Sequence, residues 1–130
     1  MSLSKYIEEL KNDCIVDEIN LKESALILPA KKAKWVSRLI LEKNGLHSLE
    51  KERDTALNSV MELLRREAVV SLPKNTLRGT AETHEMIIEI DRKIENSKNI
   101  IEFLERVEKI ISSMSFDIGN IIKIVQLETT

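Results

Sequence analysis

The sequence predicts an all-α chain, a long helical hairpin with short N- and C-terminal helices. Three observations carry this expectation. Apolar residues recur at three- and four-residue spacing through almost the whole length. Gly (3) and Pro (2) are too few for the many turns of a sheet protein, and aromatics make up only 3%. At 130 residues, 42% hydrophobic and 32% charged, the chain has the size and composition of one folded domain rather than a disordered segment.

The elements follow in order. Leu3, Tyr6, Ile7, Leu10 and Cys14 share one helical face, predicting a short amphipathic helix from about Ser4 to Asp13. Asp17 reads as the N-cap of a second stretch, Glu18 to Leu28, which Pro29 closes or kinks. From Ala30 to Glu67 only Gly45 interrupts a helical pattern whose seam is Trp35, Leu39, Leu46, Leu49, Leu57, Val60 and Leu64. Heptad spacing also puts Arg53 on that seam. Gly45 weakens a helix by about 1 kcal/mol relative to alanine, so a bend or break is expected there.

Residues 68–80, AVVSLPKNTLRGT, hold Pro73, Asn75 and Gly79 without periodicity. They read as a connector between a first part, 1–67, and a second, 81–130, with a short extended piece at Val69 to Leu72. Thr80 or Thr83 is placed to cap the second long helix, whose stripe is Ile87, Ile90, Ile94, Ile101, Leu104 and Ile111. That helix is expected to reach about Met114. Ser113 to Asp117 interrupts it, and Ile118, Ile121, Ile122 and Val125 define a last short helix ending near Leu127.

Between Ile100 and Met114 a second apolar line, Ile100, Phe103, Val107, Ile110 and Met114, lies beside the first. A helix packing on one neighbour needs one stripe. Two stripes point to two partners, and so few elements are not expected to supply both from one chain. Self-assembly through these five residues, with Ile118, Ile121, Ile122 and Val125 of the last helix, is therefore the first functional expectation.

Several classes are excluded. The net charge of −2 rules out a uniformly basic nucleic-acid binder but not local basic patches. Cys14, the one cysteine, beside Ile15 and Val16, reads as a small buried thiol in a reducing compartment. No apolar run approaches the roughly 18 residues of a membrane span, and Met1 to Asp13 lacks a signal core, so a soluble intracellular chain without membrane contact is expected. His47 and His84 lack a ligand partner at helical spacing. There is no P-loop, nucleophile elbow or glycine-rich cradle, and Gly45, Gly79 and Gly119 are isolated. No catalytic residue, metal or cofactor is expected.

The basic clusters carry the remaining signal. Lys31, Lys32 and Lys34 precede Trp35, Arg38 follows one turn after Lys34, Arg65 and Arg66 lie together near the end of that helix, and Lys74 and Arg78 sit in the connector. Lys34, Trp35 and Arg38 together offer phosphate contacts and a base-stacking plane, the needs of a single-strand binder. Core packing is the competing role for Trp35.

The order of motifs, ELKNDCIVDEINLKESA, then KKAKW opening a long helix, LEKERDTAL, IDRKIENSKNIIEFL and SMSFDIGNII, resembles the UvsY family, recombination mediators of T-even-like phages. Asp17 with Leu21 and Glu23, Lys34 with Trp35, Leu49 with Ala56 and Leu57, and Phe116 with Ile118 and Ile121 carry the resemblance, which spans nearly the whole chain. It implies a non-enzymatic helical protein in a ring-shaped homo-oligomer, a heptamer. Such a protein binds single-stranded DNA and helps a phage recombinase displace the single-strand binding protein, in the cytoplasm of an infected bacterium. The resemblance departs at cationic positions, where this chain has Asn58, Ser59 and Val60, Met114 with Ser115, and Gly119. The alternative expectation is a helical homo-oligomeric adaptor or assembly protein whose DNA binding is weak or lost.

Overall fold

The computed structural model describes residues 2–129 as four helices, α1 (Leu3–Asp13), α2 (Leu21–Glu67), α3 (Lys74–Glu82) and α4 (Glu85–Thr129). Two compact units are formed, one from residues up to Leu41 together with those from Ile100 onward, the other from Glu42–Asn99.

In the first unit α1 begins where the Ser2 side chain accepts a hydrogen bond from the Lys5 amide. The cap of α2 is Asn20 rather than Asp17. Asn20 accepts from the Glu23 amide at 3.2 Å while its own amide donates to the Glu23 carboxylate at 2.7 Å, a reciprocal box that satisfies one of the first free N–H groups. Asp17 instead accepts from the Ile19 amide, shaping the turn that leads in. Pro29 neither ends the helix nor starts a new one. Its missing N–H forfeits one helical hydrogen bond. Leu28 and Trp35 on either side are buried, and that packing holds the helix through the defect.

The core of this unit is Leu28, Trp35 and Leu39 of α2 against Ile100, Ile101, Leu104, Val107, Ile111, Met114 and Ile118 of α4. Both stripes of the Ile100–Met114 segment thus contribute buried residues within the chain itself. This corrects the premise that the second stripe needs a neighbouring copy: Ile100, Val107, Met114 and Ile118 are covered in the monomer, and Phe103 lies edge-on to Trp35 at 6.4 Å. Ile110, 43% exposed, and Val125 stay open to water, while Ile121 and Ile122 are half-buried.

In the second unit the later part of α2 and the earlier part of α4 run antiparallel, as shown by Glu42 accepting from Ser97 and Arg53 reaching Asp91. Leu57, Val60, Ala81 and Ile87 form the core, with Leu77, Ile90 and Ile94 also buried. The expected connector contains α3, which inserts Leu77 and Ala81, a pair at helical spacing. Thr83 ends α3, and neither it nor Thr80 caps α4. His84 does so, its Nδ1 accepting from the Met86 amide at 3.1 Å. Arg53, on the apolar seam, is bound by Asp91 and approached by Glu82 at 3.9 Å, and these carboxylates hold its guanidinium charged. No strand occurs over Val69 to Leu72, and among the described residues there is none elsewhere.

α2 passes Gly45, and α4 passes Ser113 to Asp117 and Gly119, without a break. Ile111, Met114, Ile118 and Ile122 keep helical spacing across that second segment, so continuing the helix keeps one apolar line facing inward. By length and hydropathy α4 meets the requirement for a membrane crossing, contrary to the sequence expectation. Its distribution is nonetheless two-sided, with Met114 and Ile118 buried and Ser112, Ser115, Asn120 and Lys123 exposed.

Candidate nucleic-acid interface

The densest candidate cations stand on α2 where α1 crosses it. Glu9 and Asp13 lie one turn apart on α1, and Lys34 and Arg38 lie one turn apart on α2, so two carboxylates meet two cations. Arg38 grips Glu9 with both guanidinium nitrogens, one of them at 3.1 Å, and Lys34 reaches Glu9 at 3.1 Å and also Asp13. The Trp35 indole donates to Asp13 at 2.8 Å. Arg38 further lies 4.8 Å from the centre of the Trp35 ring and 5.2 Å from that of Tyr6, and the two rings meet edge-on at 5.8 Å. Lys31 donates to the Asp13 carbonyl.

This constellation is a clasp holding α1 to α2. Trp35, 1% exposed, packs the core and presents no plane to a base. Lys34 and Arg38 spend their charge on Glu9 and Asp13, leaving Lys32 as the exposed cation of the cluster. α1 has no fully buried residue, so the clasp carries much of its attachment.

The bond from Arg38 is the main cause that lowers the Glu9 pKa below its ordinary 4.5, against the opposing effect of burial. A lowered folded-state pKa contributes stability that is present above the ordinary carboxylate range and lost as pH falls through the folded value. Glu9→Gln is therefore expected to cost about 1 kcal/mol at neutral pH. In urea unfolding, the gap between variant and wild type should shrink as pH drops below 4.5. A gap independent of pH would show that the charge of Glu9 does not matter.

The other candidates lie in the second unit. Arg65 and Arg66 share one acceptor, Glu62, whose pKa is lowered first by the Arg65 hydrogen bond. Arg78 pairs with Glu82 at 3.3 Å. These pairs are exposed and readily exchanged for other anions. Lys74 is exposed at the start of α3. Sequence reading missed the acidic partners. The matched one-turn spacing of Glu9 with Asp13 and Lys34 with Arg38 was the available signal.

No group of histidine, cysteine and carboxylate side chains that could hold a metal ion occurs among the described residues. The Cys14 thiol is pushed up in pKa by burial and then by Asp13, a direction that disfavours the reactive thiolate.

A family model described as "Recombination, repair and ssDNA binding protein UvsY" matches residues 9–130. The chain belongs to the UvsY family. Its fold is similar to that of crystal structures of the bacteriophage T4 recombination mediator protein UvsY. One of them has a TM-score of 0.86 at 19% identity and covers 98% of this chain and 99% of that one. A second lattice form gives 0.84 at 19% identity, covering 100% and 99%. A third gives 0.79 at 19% identity and covers both chains completely. No curated protein matches the sequence. The UvsY fold is thus shared at 19% identity.

Proposed function

We propose that this UvsY-family chain is a recombination mediator. It binds single-stranded DNA, assembles into a ring-shaped homo-oligomer, a heptamer, and helps a phage recombinase load onto strands covered by single-strand binding protein, in the cytoplasm of an infected bacterial cell. The observation that carries this reading is the family match over residues 9–130.

Two structural features support it. The first is a largely apolar groove of about 410 Å³, open to water and lined by Leu21, Ala25, Leu26, Ile122 and Val125 with Lys22 and Gln126. Apolar surface of this kind marks an interaction site, and a second copy of the chain is the occupant that self-assembly provides. The second is the spread of singly weak cations, Lys31, Lys32, Arg65, Arg66, Lys74 and Arg78. Repeated around an oligomer, weak phosphate contacts act together, because each binding event raises the effective concentration for the next.

Fluorescence anisotropy of a labelled oligothymidylate across a salt series tests this function. Affinity is expected to fall linearly on a log–log plot, by about 0.7 per phosphate neutralised, and Lys31→Ala with Lys32→Ala should flatten the slope. No binding at low salt, or binding indifferent to salt, would refute it.

A second reading, a homo-oligomeric adaptor with little DNA affinity, has its own observation. Lys34, Arg38, Arg65, Arg66 and Arg78 are all paired with carboxylates of the same chain. It predicts assembly without the salt-dependent binding.

A further inference from the structure

The outward face of the last third of α4 carries a feature that neither packing nor the clasp explains. Ser112, Ser115, Phe116, Gly119, Asn120 and Lys123 recur at i, i+3, i+4, i+7, i+8 and i+11, which places them on one side of the helix. Met114, Ile118 and Ile121 occupy the other side, where the first two are buried in the unit. On the solvated side Phe116 stands 72% exposed among serine, glycine and asparagine. A benzyl group held in water by its own helix gains nothing from folding.

Two shallow clefts flank it within the first unit. One, of about 400 Å³, is lined by the six residues of this face. The other, of about 300 Å³, is bounded by Ser112 and Ser115 on one side and by Ala25, Leu28, Pro29 and Lys32 of α2 on the other. The clefts share the two serines and so form one track, with Lys32 at one end, Lys123 at the other and Phe116 between. No carboxylate lines either cleft. Asp117 follows Phe116 directly but points about 100° further round the helix. Among the described residues, Lys32, Lys123, Ser112, Ser115 and Asn120 make no side-chain hydrogen bond or ion pair. Their donors are available, in contrast to Lys34 and Arg38.

The geometry points to this track as a single-stranded DNA site, with one base stacked on Phe116, flanking phosphates held by Lys32 and Lys123, and the serine hydroxyls and the Asn120 amide donating to the backbone between them. An exposed aromatic between separated cations, in an acid-free groove, is the arrangement that binds single strands without reading sequence. Small side chains at Ser112, Ser115 and Gly119 leave the ring accessible from the side. The inference rests on the mediator reading and gives it a place on the chain that shares Lys32 with the basic cluster of Lys34 and lies apart from Arg65.

The test is oligothymidylate anisotropy with full-length wild type, Phe116→Ala, Phe116→Trp and the double variant Ser112→Glu with Ser115→Glu, each checked by circular dichroism and light scattering. Phe116→Ala should weaken binding about tenfold, the double variant more, and Phe116→Trp should keep wild-type affinity and report stacking by quenched indole emission. Wild-type binding that all these variants match would overturn the site while leaving the mediator reading intact. Absence of binding by the wild type itself would overturn both. A drop in assembly mass on Phe116→Ala would make this face a contact between copies and overturn the DNA assignment.

Discussion

Replacing Trp35 with alanine lowers the free energy of unfolding by about 3–5 kcal/mol, the range for removing a large aromatic from a packed core. Trp35 is 1% exposed and lies between Tyr6 of α1 and Phe103 of α4, so the cavity opens at the junction of three helical segments of the first unit. Deletion also removes the indole donor from Asp13 and the ring beneath Arg38 and Lys34, leaving the clasp to its ion pairs, the Lys31 hydrogen bond and the Tyr6 ring. The loss is a large share of a total stability of roughly 5–15 kcal/mol. Denaturant unfolding followed by circular dichroism measures it. Trp35→Phe serves as the control, keeping most of the volume and giving up the hydrogen bond. A cost below about 1 kcal/mol for alanine would mean that Trp35 is not the centre of this unit.

Val107→Asp is expected to abolish the folded state of the first unit rather than dissociate an oligomer. The side chain is 0% exposed, so a carboxylate there is cut off from water. Moving an ionised group into such a site costs several kcal/mol even after relaxation, comparable to the whole stability of the chain. Ile110→Glu is the informative contrast. Ile110 is 43% exposed one turn along, so its replacement should leave helicity unchanged and alter mass in solution only where that side of α4 meets another copy. A Val107→Asp protein that kept full helicity and cooperative unfolding would contradict the placement of this stripe in the core.

The double stripe shows how far the sequence could be read. Its residues were identified, and their apolar spacing does report buried surface. Periodicity shows that a face is covered without showing by what, and here α2, approaching beside α4, supplies the cover within the chain. The breaks expected at Pro29, Gly45 and Ser113 to Asp117 failed for a related reason. Local propensities of about 1–3 kcal/mol were outweighed by packing on either side, as Leu28 with Trp35 and Met114 with Ile118 show. Asn20 and His84 displaced Asp17 and the threonines as caps because a cap must sit where the chain turns, and the turn is set by tertiary contacts.

The candidate site was less legible. Lys31, Lys32, Lys34 and Arg38 stand close together in the sequence, yet a list of cations does not show which of them fold against acids. Glu9 and Asp13, about twenty to thirty residues earlier, decide that three of the four are occupied, Lys34 and Arg38 by carboxylates and Lys31 by the Asp13 carbonyl. Phe116 was noticed only as part of a motif. Its isolation on a polar helical face was readable from spacing alone, once α4 was taken as continuous.

The decisive experiment for mediator function in this UvsY-family chain uses single-stranded DNA already covered by single-strand binding protein. The measurement is the lag before a phage recombinase begins DNA-dependent ATP hydrolysis, with and without this protein. A mediator shortens the lag at stoichiometric protein, and the effect is lost in a variant that no longer binds DNA. An unchanged or longer lag, with DNA binding intact, would contradict it.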